Sequence, residues 1–137
     1  NERAAVLTIN TARELGKLDQ VILGTDGPAG SGVQPLGIMR MVAMLSAFGN
    51  VPAAEAFCFG HGNTSRQRNL DTGLIEAGFA ADFVLLDKAQ HAPGKTMFES
   101  VQLGNLPGVG MTIIDGEVTS GRSRNTPPAD RLPEHIQ

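Results

Sequence analysis

The chemistry-bearing stretch of this chain is "VILGTDGPAGSG", Val21 to Gly32. An apolar run rich in β-branched residues ends at Asp26, and a stream of very small residues follows. A carboxylate at the carboxyl end of a parallel strand stands where open sheets and (β/α)8 barrels keep their active sites. Glycines behind it let a ligand and the backbone approach without side-chain obstruction. Asp26 is therefore the candidate functional carboxylate. Gly27, Pro28, Gly30, Ser31 and Gly32 form the candidate substrate loop. The competing reading is an Asx-type turn, in which Asp26 only bonds the N–H groups of its own loop.

A phosphate site fits poorly. Gly27 and Gly32 have the outer spacing of a GxxxxG loop, but Val33 and Gln34 stand where Lys and Ser/Thr are needed. No GxGxxG register fits, because Pro35 occupies the place of the last glycine. The three histidines, His61, His91 and His135, have neither HxH nor HExxH spacing. His61 falls at a helix exit, where the carbonyl end of the helix favours an imidazolium. Cys58 lies in the apolar "AEAFCFG" and reads as a buried thiol.

The elements around Asp26 follow from periodicity. Residues 2–18 favour a helix with Ala4, Leu7, Ala12 and Leu15 as apolar positions and Gly16 at its end. "QVILG" reads as a strand buried on both faces. Pro35 suits a first helical turn, and Ile38, Met41, Val42, Leu45 and Phe48 then fall at helical spacing. A further helix follows Pro52 and stops at Gly60. This order is the grammar of a parallel α/β layer. "AADFVLLD" reads as a second buried strand, residues 96–104 as a short helix, and "GMTIIDGEVTSG" as a hairpin turning at Asp115-Gly116. The tail from Arg122, with Pro127, Pro128 and Pro133, is expected to run along a surface, because proline cannot donate to a ladder.

Composition narrows the class. The chain has 137 residues, 41% hydrophobic and 18% charged, with a net charge of −3. It should form a core, and it carries no basic patch for nucleic acid or an anionic membrane. Its tight basic pairs are Arg66 with Arg68 and Arg122 with Arg124. One cysteine leaves no internal disulfide framework and suits a reducing cytoplasm. No run reaches the roughly 18 apolar residues of a membrane span.

Taken together, the chain resembles the C-terminal third of a metal-dependent amidohydrolase. "VILGTDGPAGSG" looks like the eighth barrel strand of that superfamily with its single aspartate. "FGHGNTSRQRNLDTGLIEAGFAADFVLLD" is similar to its exit from the barrel, with the G-x-I-x-x-G-x-x-A-D pattern matched at Gly73, Ile75, Gly78, Ala81 and Asp82. "TIIDGEVTSGRSRNTPPADR" looks like the closing hairpin of its small β-sandwich. The resemblance is greatest to the cyclic-amide hydrolases within the superfamily.

The resemblance implies an α/β fold. Residues 1–69 would be the last strand and helices of a (β/α)8 TIM-like barrel, 70–121 part of the flanking β-sandwich, and 122–137 a proline-rich tail. It implies a divalent metal, zinc foremost with iron or manganese as alternatives, and a small cyclic amide as substrate. Asp26 would be both metal ligand and proton shuttle. It further implies a homo-oligomer, a tetramer by resemblance. The other ligands of the family are an HxH pair, a lysine or glutamate, and two further histidines, and none can be placed here. A catalytic zinc takes about three protein ligands and a barrel roughly 250 residues. The chain is therefore expected to be a segment of a longer polypeptide and inactive alone. A dihydropyrimidinase-like hydrolase, a deaminase and a truncated assembly subunit remain alternatives.

Overall fold

The computed structural model describes residues 2–27, 35–121 and 125–134. A helical layer comes first: α1 (Glu2–Glu14), one 3-10 turn (Leu18–Gln20), α2 (Gly37–Gly49), α3 (Ala53–Gly60) and α4 (Gly62–Arg68). Then follow β1 (Phe83–Asp87), α5 (Met97–Gln102), β2 (Gly108–Ile114) and β3 (Glu117–Ser120).

The core lies among the helices. Ile9 of α1, Val42, Ala43 and Leu45 of α2, Val51, and Ala53, Ala56 and Phe59 of α3 are buried together with Val101 of α5. In α2 the spacing argument holds at Val42 and Leu45, but the buried stripe runs on through Ser46 and Gly49. Phe48 is 82% exposed, a correction to its expected place in the core. Pro35 also stands outside the helix, because Leu36 at φ +58 forms its N-cap.

In α1 the inward side is Ala5, Val6 and Ile9 rather than Leu7 and Leu15, which are exposed. Both leucines belong to the rim of an open groove of about 640 Å³ that Val21 and Ile22 also line. Helical spacing finds a stripe, but the tilt of the helix on its neighbours decides which stripe is buried.

The strand expected at "QVILG" is extended but belongs to no ladder among the described residues. Ile22 is 37% exposed. A strand is buried on both faces only where neighbours cover both, and the described elements cover only the side of Val21 and Leu23, which pack on the helical core. A single backbone bond, from the Leu23 N–H to the Phe59 carbonyl at 3.0 Å, ties it to α3.

The only sheet among the described residues is antiparallel, in the order β1-β2-β3, so the expected parallel layer is absent there. Phe83 opposes Ile113 and Asp87 opposes Gly108, with a bulge between Leu85 and Leu86. β1 is an edge strand with Val84 and Leu85 exposed, not the buried strand its sequence suggests. The Asp115-Gly116 turn is as expected, with φ of +51 and +79 at its two central residues, the signature of a type I′ hairpin. Asp82 closes the same end, its Oδ1 accepting the Asp115 N–H at 2.8 Å.

The described part of the proline-rich tail lies largely at the surface, as expected, and is nevertheless tied to the sheet. Its carbonyls accept where its prolines cannot donate: Pro127 from the Val109 N–H at 3.3 Å and Pro128 from the Gln90 N–H at 2.9 Å. Asp130 N–H in turn donates to the Lys88 carbonyl at 2.7 Å. Ala129 is 2% exposed. The tail is thus pinned across β2 and the exit of β1. Missing N–H groups exclude proline from donating, not from pairing as an acceptor.

Candidate active site

Asp26 ends the extended segment at φ +51, a left-handed conformation that aspartate tolerates better than most residues. It is exposed, and its carboxylate has no hydrogen bond or ion pair among the described residues. The neighbouring Gly27 N–H points to the Thr25 Oγ1 at 3.4 Å, not to Asp26. Gly27 is exposed beside it. Pro28, Gly30, Ser31 and Gly32, the rest of the candidate substrate loop, lie outside the described residues.

Two helices hold the segment that leads to Asp26. Phe59 in the last turn of α3 receives the Leu23 N–H. Asn63 in α4 reaches the segment from the other direction. Its side chain, on a residue only 5% exposed, donates from Nδ2 to the Leu18 carbonyl at 2.8 Å and the Val21 carbonyl at 2.9 Å. Sequence reasoning missed Asn63. Set among Gly62, Thr64 and Ser65, it reads as a helix-start residue, and its partners lie 45 and 42 residues earlier. A buried polar residue is meaningful because it must be paired, and only the fold shows that burial.

Neither His61 nor His91 joins Asp26. Among the described residues no three His, Cys, Asp or Glu side chains cluster closely enough to hold a metal ion. His61 occupies the break between α3 and α4, its ring stacked on Phe57 at a centroid distance of 6.4 Å. Burial pushes its pKa below the ordinary value, with the Gly73 carbonyl partly opposing. Its Nδ1 accepts the Gly62 N–H at 2.8 Å, a bond that only the neutral ring can make at that nitrogen. The expected imidazolium at a helix exit is therefore corrected to a neutral imidazole. His91 is exposed in a turn at φ +63, and His135 lies outside the described residues.

Cys58 is exposed, not buried, and its Sγ donates to the Ala54 carbonyl at 3.4 Å. The inward face of α3 is Ala53, Ala56 and Phe59, which turns position 58 outward. The superfamily pattern has a physical basis here too. Gly73 at φ +82 passes so close to α4 that a Cβ would lie 3.1 Å from the His61 carbonyl oxygen and 3.2 Å from Ser65 Cβ.

Asp26 suits a hard divalent cation as one oxygen donor, exposed and uncommitted to other side chains. The described residues supply that donor alone, short of the roughly three protein ligands of a catalytic zinc. No helix among them is long and apolar enough to cross a membrane.

Comparison with known proteins agrees with the fold. The amidohydrolase family matches residues 2–119. Enamidase of Eubacterium barkeri is 34% identical over 131 residues, which take in 96% of this chain and 34% of that protein. The crystal structure of enamidase at 1.9 Å, a member of the amidohydrolase superfamily, superposes with a TM-score of 0.92 at 34% identity. It too is matched over 96% of this chain and 34% of its own. The chain spans about a third of the length of the relative it matches. On the extent of these matches, the chain belongs to the amidohydrolase family.

Proposed function

We propose that this chain contributes Asp26 to a metal-dependent hydrolase that opens the C–N bond of a small cyclic amide, in the manner of enamidase. The observation that carries this reading is the position of Asp26. It is an exposed carboxylate ending a tethered, extended segment, in a chain that superposes on enamidase with a TM-score of 0.92.

A divalent metal, zinc foremost with iron or manganese as alternatives, would lower the pKa of a bound water and polarise the amide carbonyl. Asp26 is the donor this chain offers to it. The same carboxylate takes a proton from the attacking water and holds it on an oxygen. It then passes that proton to the amide nitrogen as the C–N bond breaks. A carboxylate suits both duties because it stays ionised beside a cation while remaining within hydrogen-bond reach of the water. The glycines after Asp26 leave room for a flat ring. The carboxylate-bearing substrate of an enamidase-like reaction needs a cationic partner, and the first cation after Asp26 is Arg40, in α2.

The test is made on the intact polypeptide that carries these residues, after its mass and metal content are measured. It is assayed on 6-oxo-1,4,5,6-tetrahydronicotinate, a dihydropyrimidine and an aminopurine. Hydrolysis of the first, lowered about 10²- to 10⁴-fold in Asp26→Asn, supports the reading. Turnover of the dihydropyrimidine or aminopurine alone moves the chain to another member reaction. Wild-type activity in Asp26→Asn removes Asp26 from the mechanism.

A further inference from the structure

The segment carrying Asp26 lies in no ladder among the described residues, yet it has a defined course. Its anchors are few and can be named. The Leu23 N–H reaches the Phe59 carbonyl at 3.0 Å. At the other end the two hydrogens of the Asn63 carboxamide are divided between the Leu18 and Val21 carbonyls, at 2.8 and 2.9 Å. Both donor positions of that Nδ2 are used, and the residue is 5% exposed. Gln67, one turn further along α4, reaches the Asp19 carbonyl only at 3.5 Å.

We infer that Asn63 is a positioning residue for Asp26. Its carboxamide fixes where the extended segment leaves the 3-10 turn, and so where the carboxylate ends up. The inference rests on the reading of Asp26 given above. Asp26 stands five residues beyond Val21 and three beyond Leu23. An extended residue spans about 3.3 Å, so a small change of angle at the anchor becomes a large displacement at the tip. Misplacing a reacting group by about 1 Å can cost about 10²-fold in rate.

The residue type matters as well as its size. Aspartate is isosteric with asparagine but would turn carboxylate oxygens toward two carbonyl oxygens, replacing two attractions with two repulsions. Serine keeps one donor. Alanine keeps none and leaves both carbonyls without their partner. The expected order of effect is therefore Asn63→Ser, then Asn63→Ala, then Asn63→Asp.

The test combines amide hydrogen exchange with kinetics on the intact polypeptide. In Asn63→Ala the Val21 and Leu23 amides should exchange at least about tenfold faster while those of α2 change little. The kcat on the cyclic amide should fall about 10- to 100-fold with KM near that of the parent. Combined with Asp26→Asn, Asn63→Ala should add almost nothing. A role in stability alone would lower the melting temperature and leave the kcat of the folded enzyme unchanged. If Asn63→Asp fails to fold, Asn63→Ser supplies the intermediate point.

Exchange at the parent rate in residues 21–26, or full additivity with Asp26→Asn, would overturn the inference. If Asp26→Asn is itself fully active, the catalytic reading of Asp26 fails and the catalytic role of Asn63 fails with it. The exchange rates then still report whether Asn63 holds the segment, so the two failures are told apart.

Discussion

Arg131 grips Asp87 with both ends of its guanidinium, Nε donating to Oδ2 at 2.8 Å and Nη2 to Oδ1 at 3.1 Å. The Arg131 backbone N–H adds a third bond to Oδ2 at 3.0 Å. This pair joins the last residue of β1 to the tail.

The Arg131 side-chain hydrogen bond lowers the Asp87 pKa from 3.8 to about 2. The folded-state pKa is depressed, so the pair stabilises the fold above about pH 4 and loses that contribution as the pH falls towards 2. Arg131 is 86% exposed, so solvent screens the pair and the effect is small. Thermal melts of the parent and Arg131→Ala from pH 2 to 5 should differ most at pH 5 and draw together as the pH falls towards 2. A constant difference across the range would remove Asp87 as the titrating group.

Gly108 controls the docking of the tail. A Cβ there would lie 2.6 Å from the Ala129 nitrogen and 2.8 Å from the Pro128 carbonyl carbon, both of them backbone atoms that cannot swing away. Gly108→Val should cost about 1–3 kcal/mol by overpacking. It should also speed exchange of the Gln90 and Asp130 amides, whose partners lie across that contact. Parent-like exchange at both would show that the tail is not held there.

Leu45 and Phe48 share α2 but not its buried side. Leu45 is fully buried and Phe48 is 82% exposed. Leu45→Ala should lose about 2–5 kcal/mol in chemical denaturation. Phe48→Ala should stay within about 0.5 kcal/mol. Equal losses would mean that Phe48 is covered in the folded protein.

His61 should titrate below 6.5 in an NMR experiment, because burial disfavours the charged ring. Its folded-state pKa is lowered, so its contribution is present above pH 6.5 and is lost as the pH falls through the folded value. Protonation would also break the bond from the Gly62 N–H to Nδ1. His61→Gln should therefore flatten the mildly acidic limb of the stability profile. A titration above 6.5 would restore the helix-end account of this residue.

Local features were legible in the sequence. The α3 helix after Pro52, the Asp115-Gly116 hairpin and the helix beginning at Thr96 all rest on residues close to one another in the chain. Thr96 caps α5 through its Oγ1, which accepts the Glu99 N–H at 3.1 Å, three residues on. Proline placement, type I′ turn chemistry and side-chain caps act over two to four residues, so sequence alone determined them. The same is true of the chemical candidate, since Asp26 and the small residues after it stand out by type and order.

Only the tertiary structure decided what long-range contact decides. Spacing offers Leu7 and Phe48 to a core as readily as Ile9 and Leu45, and packing chose between them. "QVILG" has the composition of a buried strand, yet burial and pairing belong to its neighbours and not to its residues. Asn63 reads as an ordinary polar residue until the fold brings it against carbonyls more than 40 positions earlier. The tail looks unable to pair until its proline carbonyls meet the Gln90 and Val109 N–H groups. Periodicity and turn chemistry are properties of a few adjacent residues. Burial, pairing and the orientation of a carboxylate depend on residues far along the chain, which meet only when it folds.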